Sequence, residues 1–251
     1  HIAADGSSSA PLARDLAEAY TARRRGAAPG WAPLPVTYRD YTRWHHELMG
    51  DEADPDSVSA VQLRYWRERL DRLPDLPALP TDRPRRAAAG GCGGVVSSSL
   101  PPGVVERIRT VAVATGTTPF MVAHAALAVV LARLSGTTDI AVGTPVAGRG
   151  QRPLPDLVGM FAGTLVLRTE VRGEQSFAAL LADVREVDLG AFENADFPFD
   201  RLVDLMRPRR SAAHHPLFQV GFSYQNISLG HFTLDGLDVE VIEPEIGRAH
   251  V

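Results

Sequence analysis

Cysteine is almost absent from this chain of 251 residues, which carries only one. A lone thiol cannot close an internal disulfide or build a cysteine-rich metal site. Cys92 sits in Gly90-Gly91-Cys92-Gly93-Gly94 and reads as incidental. Excess positive charge is missing too. The formal net charge is −4 and the pI about 6.1, whereas a nucleic-acid-binding domain is ordinarily basic. The short arginine runs at 23–25 and 207–210 have acidic residues nearby and read as solvated turns. No apolar run is long enough to span a bilayer. The most apolar stretch, Phe120 to Leu134, is short and broken by His124 and Arg133, so it reads as a buried helix. No basic start followed by an apolar run marks a secretory signal, and a single free thiol fits a reducing cytoplasm. The turn-rich stretch Gly143 to Gly150 lacks the Lys-Ser/Thr of a phosphate cradle, and no dinucleotide fingerprint is present. His45-His46 and His214-His215 are adjacent pairs. They do not converge on one metal as histidines four apart on a helix would.

What is present is a hydrophobic fraction of 45%, enough for a sizeable core. Helical spacing marks Pro11–Arg25, Tyr38–Met49 and Ser57–Leu73. Prolines and glycines make 74–94 an extended connector. A strand is expected over Val95–Leu100, then a helix over Pro102–Thr115 with Gly116 as its C-terminal cap. Thr118-Pro119 opens the apolar helix, which stops at Gly136. Strands are expected over Ile140–Val146, Thr164–Val171, Leu217–Gln225 and Phe232–Val241. Helices are expected over Phe177–Phe192 and Phe199–Met206. The alternation indicates an α/β layered fold.

The chemistry-bearing opening is His1-Ile2-Ala3-Ala4-Asp5-Gly6. A histidine four residues before Asp-Gly is a weak signal alone. Further segments follow in order: Tyr38-Arg39-Asp40-Tyr41-Thr42-Arg43-Trp44, Leu79-Pro80-Thr81-Asp82-Arg83-Pro84, Val158-Gly159-Met160-Phe161 with Thr164-Leu165, Asp196-Phe197-Pro198-Phe199-Asp200, and Pro216-Leu217-Phe218-Gln219-Val220. In this order and spacing they closely resemble the condensation domains of nonribosomal peptide synthetases. That family carries a His-His-x-x-x-Asp-Gly motif, and the chain starts at its second histidine. The resemblance runs from His1 to about Val241.

The resemblance implies a chloramphenicol acetyltransferase-like fold: two α/β lobes of layered mixed sheets and helices, with the active site in a tunnel between them. Residues 1–45 would be the tail of the first lobe and 46–244 an incomplete second lobe. Residues 245–251 back-translate into the start of a common sequencing adapter, and the chain begins without Met. Both ends are therefore expected to be truncations, and the isolated chain is expected to be inactive.

The implied reaction joins a donor acyl thioester to an acceptor amine as an amide. Each substrate rides on the 4'-phosphopantetheine arm of a carrier domain, with an adenylation domain as a neighbour. No cofactor or metal is bound directly, and neither nucleic acid nor membrane is a partner. The product would be a bacterial secondary metabolite of the antibiotic kind, and the Ala/Arg/Gly-rich composition resembles a high-GC source. Thioester aminolysis is downhill. It needs orientation, which lowers barriers by roughly 7–11 kcal/mol in aligned cases, a free-base amine, and donors aimed at the oxyanion. His1 is the candidate base, worth roughly 10²–10⁴-fold, or else a hydrogen-bonding positioner. Gly6 is a candidate for the oxyanion through its N–H, its missing side chain allowing close approach or an unusual turn. Asp5 is implied to be structural, paired with an arginine expected in the absent first lobe.

Two departures from the family's frequent pattern fall on the expected tunnel or inter-lobe surface, which includes Ser7, Phe161, Gly163 and Thr164. Many members have Trp where this chain has Ser7. Many read Phe-Val-Asn-Thr where this chain has Phe161-Ala162-Gly163-Thr164. Tyr41 and Trp44 share a helix face and are expected to pack in the core, as are Phe197, Phe199, Leu217 and Phe218. The rival reading is a non-catalytic docking platform for carrier domains or tailoring enzymes on the same fold. Epimerisation and ester formation fit less well, and the motif lacks the paired aspartates of heterocyclising members.

Overall fold

The computed structural model describes residues 2–73, 79–82, 94–207 and 215–225, together with 234, 236, 237 and 239. His1, Cys92, His214, most of 74–94 and the expected adapter-derived tail lie outside these residues. The described chain forms seven α-helices: α1 Ser9–Arg24, α2 Tyr38–Met49, α3 Val58–Arg69, α4 Pro102–Thr115, α5 Pro119–Ser135, α6 Phe177–Glu193 and α7 Phe199–Met206. Three strands accompany them: β1 Asp139–Val146, β2 Gly163–Glu170 and β3 Val220–Gly221. A single 3₁₀ turn, Gly6–Ser8, precedes α1.

Two compact units form, neither of them continuous in sequence. One takes in the described residues within 1–60, 146–163 and 225–245, the other those within 61–145 and 164–224.

In the second unit, the strand order is β2-β1-β3. β1 and β3 run parallel, with Val142 opposite Val220 and Gly143 opposite Gly221. Leu165, Val166 and Leu167 are consecutive and all buried, so both faces of β2 are covered. Helix α5 is apolar around most of its circumference because it is packed on two sides. Met121, Val122 and Ala125 meet Ala112 of α4 and Leu180, Leu181 and Val184 of α6. Ala128 and Leu131 meet Ile140 and Val142 of β1. Thr118 caps α5 by accepting from the Met121 N–H at 3.2 Å, and Gly136 ends it in the left-handed region at φ +71°.

The end of α3 is tied down by polar contacts. Trp66 Nε1–H donates to Asn194 O at 2.8 Å. The Gln62 side chain accepts from the Phe197 N–H at 2.8 Å. Arg168 pairs with Asp139 at 2.7 Å and donates to the carbonyls of Arg69 and Asp71, which satisfies acceptors at a helix C-terminus. His124 of α5 and Asp188 of α6 form a wholly buried pair, Nδ1 to Oδ1 at 2.9 Å.

Three expectations change. Val95–Leu100 forms no strand: Val95 and Val96 are 92% and 98% exposed, and the stretch pairs with nothing among the described residues, so β-propensity had no sheet to join. The strand expected over Leu217–Gln225 shrinks to Val220–Gly221, extended by one hydrogen bond from the Phe222 N–H to Gly143 O at 2.8 Å. Its earlier part is diverted because the Phe218 ring lies over Gly143, in the space a side chain there would fill. The third concerns Trp44, which is 40% exposed rather than core. Of the strand expected over Phe232–Val241, only a single antiparallel bridge, Leu234 to Leu237, falls within the described residues. No single described helix is long and apolar enough to cross a membrane.

Candidate active site

The site is built in the first unit, around the turn that follows the opening motif. Asp5 has extended backbone and caps the 3₁₀ turn. Its carboxylate Oδ1 accepts from the Ser8 N–H at 3.0 Å and lies 2.9 Å from Ser8 Oγ. Its Oδ2 accepts from the Phe161 N–H at 3.0 Å. Arg149 Nη2 completes the set at 2.8 Å from Oδ1, with the Arg149 and Asp5 side chains only 7% and 2% exposed. Burial works to raise the Asp5 carboxyl, but the Arg149 hydrogen bond, the Phe161 N–H and Ser8 outweigh it. The group is held below its ordinary value. It is an ionised acceptor whose oxygens are already engaged, and it has little capacity left to act as a base.

The arginine partner was expected in a missing part of the fold. It is Arg149 of this chain, and the correction has a clear structural basis. Gly148 takes a left-handed conformation at φ +63°, a region that favours glycine. Any Cβ there would run into the Phe161 carbonyl. The reversal delivers Arg149 inward. Its Nη1 donates to the carbonyls of Leu154 and Leu157 at 2.8 and 2.7 Å, and the guanidinium lies 4.1 Å from the centre of the Phe161 ring.

Ser8 is a second residue that sequence reasoning passed over. It is almost fully buried. Its hydroxyl lies 2.9 Å from Gly159 O, 3.1 Å from Gly159 N and 2.8 Å from Arg149 Nη2. The signal was available: a serine three residues after an aspartate at a helix start is the spacing of a reciprocal cap.

Phe161 carries the platform beneath this cluster. Its ring is buried against Leu154, Leu157, Val36 and Tyr41 and stands edge-on to Tyr38, 5.1 Å between centres. The Tyr38 hydroxyl donates to Met160 O at 2.6 Å. Tyr38 and Tyr41 sit on α2, whose start is fixed by reciprocal bonds between Thr37 and Asp40.

The remaining expected site residues are placed as follows. Ser7 is half-buried within the 3₁₀ turn. Gly6 opens that turn without entering the left-handed region, and a Cβ there would meet nothing, so neither an unusual turn nor crowding by the chain explains a glycine. Gly163 begins β2, where a Cβ would approach Val146 Cγ2 at 3.3 Å. Thr164 follows it, half-buried.

The sequence and the fold of the chain are matched by known proteins. The condensation-domain family matches residues 1–246, and the chain belongs to that family. Its sequence is 48% identical over 237 residues to the isonitrile lipopeptide synthase of Mycobacterium tuberculosis, covering 94% of this chain and 9% of that protein. It is 45% identical over 249 residues to the dimodular nonribosomal peptide synthase of Bacillus subtilis, covering 99% and 10%. The chain thus spans about a tenth of these relatives. Among solved structures, the X-domain from teicoplanin biosynthesis superposes with a TM-score of 0.80 at 33% identity, over 87% of this chain and 49% of that one. The first condensation domain of the calcium-dependent antibiotic synthetase, in complex with a substrate analogue, gives 0.61 at 27% identity over 89% and 48%. The fold is chloramphenicol acetyltransferase-like.

Proposed function

We propose that this chain forms part of a condensation domain that makes an amide bond between a carrier-bound donor thioester and a carrier-bound acceptor amine. The observation that carries the reading is the Asp5–Arg149–Ser8 cluster, which fixes the turn four residues after His1 in a chain of the condensation-domain family.

The acceptor amine attacks the thioester carbonyl, and a tetrahedral intermediate forms. The C–S bond then breaks, releasing the pantetheine thiol and leaving the amide. His1 takes a proton from the attacking nitrogen, or holds that nitrogen by a hydrogen bond, and the proton finally resides on the departing sulfur. The Gly6 N–H supplies a donor to the oxyanion. Asp5, held ionised by Arg149, is a structural partner and not a proton acceptor. Ser7, Phe161, Gly163 and Thr164 belong to the substrate tunnel or its margins, with Phe161 acting through its backbone and its support of Arg149. Residues 1–45 would complete one lobe and 46–244 most of the other.

The partners would be donor and acceptor carrier domains bearing 4'-phosphopantetheine, beside an adenylation domain in a cytoplasmic synthetase. The isolated chain would be inactive. Leu12, Leu16, Trp31 and Leu34 of the first unit are exposed, and apolar groups of this size ordinarily need cover.

The test is amide formation by the complete domain from two loaded carriers, followed by mass spectrometry. His1→Ala should abolish the product, and full retained activity would overturn the assignment. A wild-type domain that binds loaded carriers yet makes no amide would favour the docking reading. That alternative is prompted by the likeness to an X-domain also solved in complex with OxyB.

A further inference from the structure

We propose that Ser8 is a positioning residue for the condensation reaction, its hydroxyl setting the Asp5–Gly6 turn through the Asp5 carboxylate. The inference rests on the reading above.

A hydroxyl can donate one hydrogen bond and accept two. Ser8 Oγ has two possible acceptors at 2.9 Å, Asp5 Oδ1 and Gly159 O. Gly159 O also receives the Asp5 N–H at 3.2 Å, so it is served without Ser8. The carboxylate is charged and makes the stronger bond, which assigns the Ser8 proton to Asp5. The hydroxyl then faces three donors, Arg149 Nη2 at 2.8 Å, the Gly159 N–H at 3.1 Å and the Asp5 N–H at 3.3 Å. Its two lone pairs serve the nearer two, and the Asp5 N–H is shared with Gly159 O. One buried oxygen therefore joins three separate stretches of chain: the motif turn, the Arg149 loop and the Gly159–Phe161 segment. Asp5 also caps the turn that Gly6 opens. Loosening Ser8 shifts the carboxylate, and with it the backbone around Gly6. Deleting the hydroxyl takes a donor from Asp5, an acceptor from Arg149 and the side-chain partner of the Gly159 N–H, a buried loss on every side.

The experiment compares Ser8→Ala, Asp5→Asn and the double variant in the complete domain, with thermal melting to establish folding. Ser8→Ala should lower kcat for amide formation by about tenfold or more, the scale of a lost bond to a charged group, with the acceptor KM unchanged. The double variant should be no slower than Asp5→Asn alone, because the serine acts through that carboxylate. Ser8→Thr should restore most of the rate. A Ser8→Ala rate within twofold of wild type, or effects that multiply in the double variant, would overturn the proposal. If the alanine variant does not fold, Ser8→Cys takes its place in the same assay. If the wild-type domain makes no amide, the functional reading fails and Ser8 is decided by carbon-13 titration of the Asp5 carboxyl. A higher titration point in Ser8→Ala supports the positioning role, and an unchanged one overturns it.

Discussion

Arg149 Nη2 meets the Asp5 carboxylate at 2.8 Å, although the two positions are 144 apart in the chain, and both side chains are nearly sealed from solvent. Removing one member of such a pair leaves a buried charge without compensation. Arg149→Met in the complete domain should cost about 3–5 kcal/mol. The double variant with Asp5→Asn should recover part of that loss. Urea unfolding midpoints check both, and a double-variant loss equal to the sum of the two single losses would show that the pair is not coupled.

Gly148 and Gly150 flank that arginine and should respond differently. Gly148→Ala must hold an L-residue at φ +63° and push a methyl into the Phe161 carbonyl, so a loss of at least about 2 kcal/mol is expected. Gly150 has open space around it and no left-handed backbone, so Gly150→Ala should stay within about 0.5 kcal/mol of wild type. Parallel thermal melts of the two variants test the contrast.

The Asp5 pair also fixes the sign of one pH response. The folded carboxyl titrates below its unfolded value of 3.8. Its contribution to stability is therefore complete well above that pH and is lost as the pH falls through the lower folded value. The stability gap between wild type and Asp5→Asn should shrink on acidification below pH 4 and stay flat near neutrality. Denaturant titrations across the acid range measure it.

The buried pair in the second unit should behave in the opposite sense. Burial raises the Asp188 carboxyl, and the His124 hydrogen bond only partly offsets this. An acid raised by folding costs stability as the pH climbs from the unfolded value toward the folded one. Asp188→Asn keeps an acceptor for His124 Nδ1 and should remove that slope. Asp188→Ala leaves the buried ring nitrogen unpaired and should cost about 3 kcal/mol. A stability profile against pH identical in Asp188→Asn and wild type would refute the assignment.

The helices were readable in advance because their ends carry local chemistry. Thr118-Pro119 and Gly136 bound α5, and Gly116 closes α4 in the left-handed region. The strands were less readable, because a strand exists only where another strand accepts its hydrogen bonds. Val95–Leu100 has the right residues and no such neighbour among the described chain. At the site, the motif identified Asp5, but its partner could not be found by spacing. Arg149 becomes visible only when the Gly148 turn folds it onto a segment far away in sequence. Ser8 was legible as a cap, yet its bonds to Gly159 are again non-local.

That separation governs when the site can exist. The Asp5–Arg149 contact closes a loop of 144 residues, an entropic cost of about 4 kcal/mol from the logarithmic length dependence alone. Contacts within α5 and α6 close much shorter loops and are reached sooner during a conformational search. On an emerging nascent chain, Asp5 and Ser8 must wait until Phe161 has left the ribosome before their buried polar groups find partners. Until then the motif turn is an uncommitted, water-exposed stretch, and its geometry is set only by chain that emerges long after it.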